Sequence, residues 1–494
     1  MALPQYTTSQ NGENLGVLLQ WRLLIVAAIL LLVVFFLRCS KAPTLDIKQY
    51  SNFPQPEEAD PAKRALAMDR EVYWSRGSSK GFWHRSSGSP VLLVDWRPIE
   101  KFLILFILDN EVAEHTTKPS KQYSTSVPKH PAIQHLAPLV GARSLVTTDG
   151  DEWKGLRKRI LPGFQPQHLH SLARVILDKS RTFIEFMEQK AATGANFCMD
   201  EYTTNLTFDV IGLQQRVPGK HWLWTYLTDN ERTIRHFDKR LDCILKEEII
   251  KQHKKLLAGD STASRSVATL SLHGISVLTP KILQQTSDTL RGFLFAGHDT
   301  TSILLQWCFY ELHRCPSSAQ ALKDELDEVF GEASNPKSVM DQLYGPEAGK
   351  LLSRLPYTDA IIKEALRLHP PGTIARVAPR GSNTTLTLPN GQKLVVDDLC
   401  VTPRAYVIQR HPKVFGETND DFVPERWLGE EGSKIPDKLA NLEVRIVLAC
   451  VARYFEFVKV GQGELDLDEK GLPVLNDKGF YKTKSTMFSV SGKG

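Results

Sequence analysis

The sequence has no C-x-x-C pair among its seven cysteines, and their number is odd. That pattern argues against a disulfide framework and a zinc ribbon, and it suits a reducing compartment. There is no G-x-G-x-x-G after a strand, no P-loop, no H-E-x-x-H and no G-x-S-x-G elbow. Dehydrogenase, nucleotidase, zinc-protease and hydrolase readings therefore lack their best support. No block of five or six basic residues occurs, and the net charge is only +5, so the chain carries no nucleic-acid footprint. What is present is ordinary globular composition: 494 residues, 42% hydrophobic and 24% charged. That composition excludes a disordered or collagenous chain, and the length allows a few domains or one large one.

One long apolar stretch stands near the start. Leu23 to Leu37 is uninterrupted, and extending it back to Leu15 admits only Gly16, Gln20 and Arg22. At helical rise residues 15–37 span about 34 Å, enough for a bilayer core of about 30 Å. Arg38, Lys41 and Lys48 follow, whereas Glu13 is the only charge before Arg22. The positive-inside rule then places the body of the chain in the cytosol. The competing cleaved signal peptide lacks a basic leader and an A-x-A site. Asn205-Leu206-Thr207 is a formal glycosylation sequon that a cytosolic body leaves unused. We read residues 1–14 as a short tail, 15–37 as a transmembrane anchor, 38–60 as a proline-containing linker and 61–494 as one domain.

Helical patterns dominate that domain. Thr279-Pro280 is an N-cap and first helical residue, opening a helix that runs to Cys315 before Pro316. A length of about 54 Å suits a helix crossing a whole domain. A second helix spans 356–369 and stops at Pro370-Pro371; a third spans 439–457. Thr384 to Leu388 and Lys393 to Val396 flank Asn390-Gly391, a hairpin signal. The segment from Leu465 reads as short strands. The fold class is mainly α with small β-sheets.

Four groups of residues could carry chemistry. Phe295-Ala296-Gly297-His298-Asp299-Thr300-Thr301 places glycine, an acid and two hydroxyls inside an apolar helix. Glycine there costs about 1 kcal/mol relative to alanine, and buried polar groups need partners. Either this is a polar face with a kink, or a backbone opened for a ligand with Asp299 and Thr300 relaying protons. Glu364 and Arg367 share a helical face; such a pair is commonplace if exposed and, if buried, needs a third partner, for which Arg426 is available. Trp153 and Arg157 offer an indole and a guanidinium one turn apart, able to bind an acidic group or simply to face solvent beside Lys158 and Arg159. Arg376 is likewise ambiguous. His168 and His170 read as surface loop histidines rather than a metal site.

In their order these groups resemble the cytochrome P450 monooxygenases. The family's A/G-G-x-D/E-T-T/S motif matches Ala296 to Thr301, its E-x-x-R motif matches Glu364 to Arg367, its P-E-R-F/W motif matches Pro424 to Trp427, and its W-x-x-x-R motif matches Trp153 and Arg157. The likeness covers residue 50 to the end and points to the membrane-bound eukaryotic class and to fungal secondary metabolism. It implies the P450 fold behind an N-terminal transmembrane helix in the endoplasmic reticulum. It implies haem b, with Trp153, Arg157 and Arg376 on the propionates and Ala296 and Gly297 beside the cofactor. It assigns proton delivery to Asp299 and Thr300 and a structural triad to Glu364, Arg367 and Arg426. It implies an apolar small-molecule substrate, and electrons from NADPH through a P450 reductase docked on the basic surface at Lys154, Lys158 and Arg159.

Two departures accompany the likeness. The family's F-x-x-G-x-R-x-C-x-G segment is absent: residues 428–438 separate Trp427 from Leu439 and contain no cysteine. The axial thiolate drives O–O cleavage in this family, so no iron ligand is assigned. Cys450 reads as core, and Cys400 reads as following a strand. The stretch between Gly212 and Ala296 is also short, at 83 residues. The chain is then either an ordinary monooxygenase whose cysteine segment has been lost from the sequence as an over-called intron, or a non-catalytic, membrane-tethered pseudoenzyme or binding protein.

Overall fold

The computed structural model describes residues 89–94, 102–195, 197, 199–211, 230–260, 266–332, 335–429 and 439–457. The anchor, the linker and the strands expected after Leu465 lie outside the described residues. Among the described residues no helix is long and apolar enough to cross a membrane.

The strands are β1 (Val91–Val94), β2 (Leu103–Ile107), β3 (Arg376–Val377), β4 (Thr385–Thr387), β5 (Lys393–Val395) and β6 (Leu399–Pro403). The helices of eight residues or more are α1 (Asn110–Thr117), α2 (Gly150–Ile160), α3 (Pro166–Thr193), α4 (Met199–Ile211), α5 (Asn230–Leu257), α6 (Pro280–Arg314), α7 (Pro316–Phe330), α8 (Pro336–Tyr344), α9 (Pro356–Leu368) and α10 (Leu439–Val451). The described residues are thus mainly helical with two small sheets, as the patterning predicts.

Proline punctuates the helices. Pro280, Pro316, Pro336 and Pro356 each occupy a first helical turn, where the missing N–H costs nothing. Thr279 caps α6 by accepting from Ile282 N at 3.3 Å. The helix then runs unbroken for 35 residues, about 52 Å at 1.5 Å per residue.

α3, α4, α6, α7, α8, α9 and α10 enclose the main core, with Ile176, Leu305, Ile361 and Val447 fully buried. The four-stranded sheet has the order β1-β2-β6-β3, with β2 and β6 parallel and the other pairs antiparallel. Both sheet faces are covered. Leu105 and Val401 pack toward α1 and the β4–β5 hairpin, while Leu92, Phe106 and Cys400 form the opposite face. Gly141 joins the segment before α2 to α6: its φ is +79°, and a Cβ there would overlap the Asp288 side chain. Only glycine satisfies both demands.

Three expectations need correction. α10 ends at Val451 rather than Phe457, because the chain turns there and buries the Phe455 ring against the core. Cys400 lies inside β6 rather than after a strand, paired in register with Ile104. His168 and His170 stand within the first two turns of α3, not on a loop.

Candidate functional site

The middle of α6 is opened on one side. Leu294, Thr301, Ser302, Leu304 and Leu305 are buried, yet Phe295 is 38% exposed and Ala296 and Asp299 are exposed. Gly297, Thr300 and Ile303 are half-buried. Phe295, Asp299 and Ile303 recur every four residues, so they form one stripe. A stripe opened to solvent in a core-crossing helix, with an exposed aromatic ring on it, is a surface on which a flat ligand can lie. Thr300 Oγ1 donates to Ala296 O at 2.7 Å, which leaves its lone pairs available.

The opposite side of this segment is tied to α4. Thr207 Oγ1 donates to the His298 carbonyl at 2.7 Å. The Ser302 hydroxyl lies 2.8 Å from Thr203 Oγ1 and 2.9 Å from Thr204 Oγ1, and Gln306 Nε2 donates to both Ser302 Oγ and Asp200. His298 turns its ring onto this side: Nδ1 donates to Leu294 O at 2.6 Å, and the ring meets Phe208 edge-on. None of these α4 partners was legible in the sequence; the signal was a run of three threonines at positions 203, 204 and 207 on one helical face.

Glu364 and Arg367 are buried, not exposed. The carboxylate accepts from Arg367 Nε at 2.9 Å and Nη2 at 2.8 Å, from Val423 N at 2.9 Å, from Arg426 Nε at 3.1 Å and from Trp427 Nε1 at 2.8 Å. Arg367 spends its remaining donors on the carbonyls of Gln409, Asn419 and Asp421. Burial alone raises the pKa of the carboxyl; the bonds and charge of Arg367, with Val423 N–H and Trp427, overcome it and hold Glu364 below its ordinary value. A buried ion pair is tolerated only when both partners are satisfied in this way. The expected triad is therefore assembled, with Trp427 as a fourth member.

Arg376 lies on β3 at the rim of the sheet. Its Nη1 donates to Val127 O at 3.2 Å and stands 3.9 Å from Asp149, and its buried Nε has no partner. Lys129 pairs with the same strand and donates to the carbonyls of Leu145 and Thr148. Burial pulls the Lys129 ammonium down to about 8, against the charge of Asp149 and with that of Arg376. Asp149 is the N-cap residue of α2, so Trp153 sits one turn from the Arg376 pair. Trp153 is half-buried; Arg157 is exposed and stacks over the Trp153 ring at 5.2 Å. Lys129 was missed because a lysine before His-Pro carries no motif.

Three of the described cysteines lie in the core: Cys308, Cys400 and Cys450 are buried there. Burial pushes the Cys450 thiol up to about 12, and burial with the charge of Glu311 pushes Cys315 up to about 11. Cys308 is raised further still by the same two causes. Cys243 is exposed on α5, and Cys39 and Cys198 lie outside the described residues. Among the described residues no His, Cys, Asp and Glu side chains cluster as a metal site.

A core-crossing helix with an open middle, a buried glutamate–arginine brace and a cationic sheet rim together define a ligand-binding helical domain of the P450 type. The Cytochrome P450 family model matches residues 100–215 and 213–483, and the chain belongs to that family. It is 27% identical over 419 residues to a cytochrome P450 monooxygenase of Polytolypa hystricis, covering 73% of each chain. It is 25% identical over 401 residues to a cytochrome P450 monooxygenase of Aspergillus aculeatus, covering 68% of this chain and 79% of that protein. A bifunctional cytochrome P450/NADPH–P450 reductase of Aspergillus oryzae is 33% identical over 171 residues, 34% of this chain and 14% of that protein. By family the protein is a monooxygenase, and its family binds haem.

The fit of haem to these residues is one-sided. The half-buried Arg376, with its unpartnered Nε, and the half-buried Lys129 suit the carboxylates of a porphyrin. The iron is not provided for. Every described cysteine other than Cys243 is raised toward the thiol form or packed in the core, and residues 428–438 contain none. Thiolate-ligated haem does not fit the sequence as it stands.

Proposed function

We propose that this chain is the frame of a haem-thiolate monooxygenase that oxidises an apolar small molecule, and that the active protein carries a cysteine segment between Trp427 and Leu439. The observation that carries this reading is the open stripe of Phe295, Ala296 and Asp299 in a helix otherwise buried. An exposed aromatic ring in the middle of a core-crossing helix is costly without a ligand over it. The brace supports it too, since Glu364 is fully satisfied by residues that end at Trp427, where the family's cysteine segment would begin.

In this reading Trp153, Arg157 and Arg376 bind the porphyrin carboxylates, assisted by Lys129, and Ala296 and Gly297 keep the helix surface low enough for close approach. Asp299 and Thr300 hold and move protons on the exposed face of α6. Glu364, Arg367 and Arg426 brace the opposite wall. Electrons come from NADPH through a reductase, a partner in keeping with the fused relative, docked on exposed Lys154 and Lys158. Residues 15–37 tether the protein to the endoplasmic reticulum with the domain in the cytosol, and the fungal relatives favour a role in secondary metabolism.

The test is to read the mature transcript across the codons for Trp427 to Leu439, and to record the reduced, CO-bound spectrum of the protein it encodes. An inserted F-x-x-G-x-R-x-C-x-G segment and a red-shifted Soret band are expected. A transcript identical to this sequence, encoding folded protein without that band, sinks the enzymatic reading and leaves a non-catalytic binding protein.

A further inference from the structure

A cavity of about 500 Å³ lies between α2 and the first turns of α6, away from the stripe and the brace. Three cations line it: Arg143 before α2, Arg159 on α2 and Lys281 on α6. None of the three is ion-paired among the described residues. Arg159 is half-buried, and its Nε is fully buried without a hydrogen-bond partner. The sequence grouped Arg159 with the surface lysines, but Lys154 and Lys158 are exposed while Arg159 turns into this cavity.

Two carboxylates share the lining, yet they do not neutralise it. Asp151 accepts from Ser124 at 3.1 Å, and Glu152 accepts from Gln285 at 3.0 Å. Neither comes within ion-pairing distance of Arg159. Lys281 adds a second anomaly. It stands in the first turn of a 35-residue helix that has no acid there, so its charge opposes the positive end of the helix dipole. The floor is the buried Leu156, and Gly155 leaves the wall open, since a Cβ there would meet nothing within 4 Å.

We propose that this cavity binds a small phosphate-bearing anion, held by Arg143, Arg159 and Lys281. A phosphate in the cavity pairs with the three cations that line it and complements the helix dipole. The source is either a free phosphate compound or the headgroup of an anionic lipid, and the inference does not depend on haem.

The test is calorimetry and thermal melting of the full chain with inorganic phosphate and glycerol 3-phosphate at constant ionic strength. Vesicles of phosphatidylcholine with and without phosphatidic acid form the second arm. Saturable binding and a raised melting temperature are expected. Arg159→Gln should weaken binding about tenfold, the loss of one charge-assisted bond. Gly155→Leu keeps every charge and improves helix propensity but intrudes on the cavity wall beside Arg159, so it should fold and bind more weakly. Lys350→Gln, on an exposed lysine elsewhere, should bind normally. A response to phosphatidic acid alone assigns the site to a lipid headgroup. No saturable response in either arm, or equal binding by Gly155→Leu, overturns the proposal.

Discussion

Two buried glutamates sit on neighbouring helices and respond to their surroundings in opposite ways. Glu364 has five donors, and its pKa is held down by Arg367 against the opposing pull of burial. Its contribution to stability is complete above the unfolded carboxylate pKa and is lost as pH falls through the lower folded value. Arg367→Ala should cost about 3–5 kcal/mol at neutral pH, because it strands a buried carboxylate. Arg367→Lys should recover little, since a lysine cannot reproduce the two-pronged contact. Urea denaturation checks both, and a loss below about 1 kcal/mol for the alanine variant contradicts the burial argument. Glu443 on α10 is 2% exposed, its Oε1 has no partner, and burial raises it well above the ordinary value. A raised acid stabilises the fold only at low pH, and that stability fades as pH rises from the unfolded pKa toward the folded one. Glu443→Gln should therefore stabilise the chain at pH 7 by about 1 kcal/mol and have no such benefit near pH 4. An equal effect at both pH values would show that ionisation is not the cause.

At the scale of elements, what was legible followed from local rules. The ends of α6 and α9 are written by Thr279-Pro280, Pro316, Pro356 and Pro370, and the β4–β5 hairpin by Asn390-Gly391, whose glycine has φ +81°. β1 and β2 went unread because Val-Leu-Leu-Val and Leu-Ile-Leu-Phe-Ile are buried on both faces and show no alternation. α10 was read six residues too long because its apolar pattern continues past the turn at Val451. The α4–α6 seam was illegible for a different reason: it pairs residues about 100 positions apart, which no local pattern encodes. The Ser302 hydroxyl lies within hydrogen-bonding distance of Thr203, Thr204 and Gln306. Ser302→Val should leave those groups short of a partner and cost about 1–3 kcal/mol. Thr207→Val should cost about 1 kcal/mol by freeing one carbonyl lone pair. If thermal melting places both variants with the parent, the seam is not a structural tie between the helices.

For the whole molecule, motif order revealed the family, while the charge environment of the site had to come from three dimensions. Arg376 was ambiguous in the sequence because its meaning depends on Asp149 and Lys129, which approach it only across the folded chain. The same view separates the two halves of a haem site. The cationic rim is present, with Arg376 Nε unpartnered, whereas residues 428–438, where the family places its ligating cysteine, contain none. Purified chain of this sequence, titrated with haemin, should bind it through the rim and show an unshifted Soret band when reduced under CO. Arg376→Gln should weaken that binding about tenfold, as expected for one charge-assisted contact. Cys308→Ser, Cys315→Ser, Cys400→Ser and Cys450→Ser should leave the spectrum unchanged, since Cys308, Cys400 and Cys450 are buried in the core and the half-buried Cys315 is raised toward its thiol form. Should any one of these substitutions abolish a red-shifted band present in the parent, that cysteine is the ligand and the family's chemistry has been rebuilt on a different sulfur.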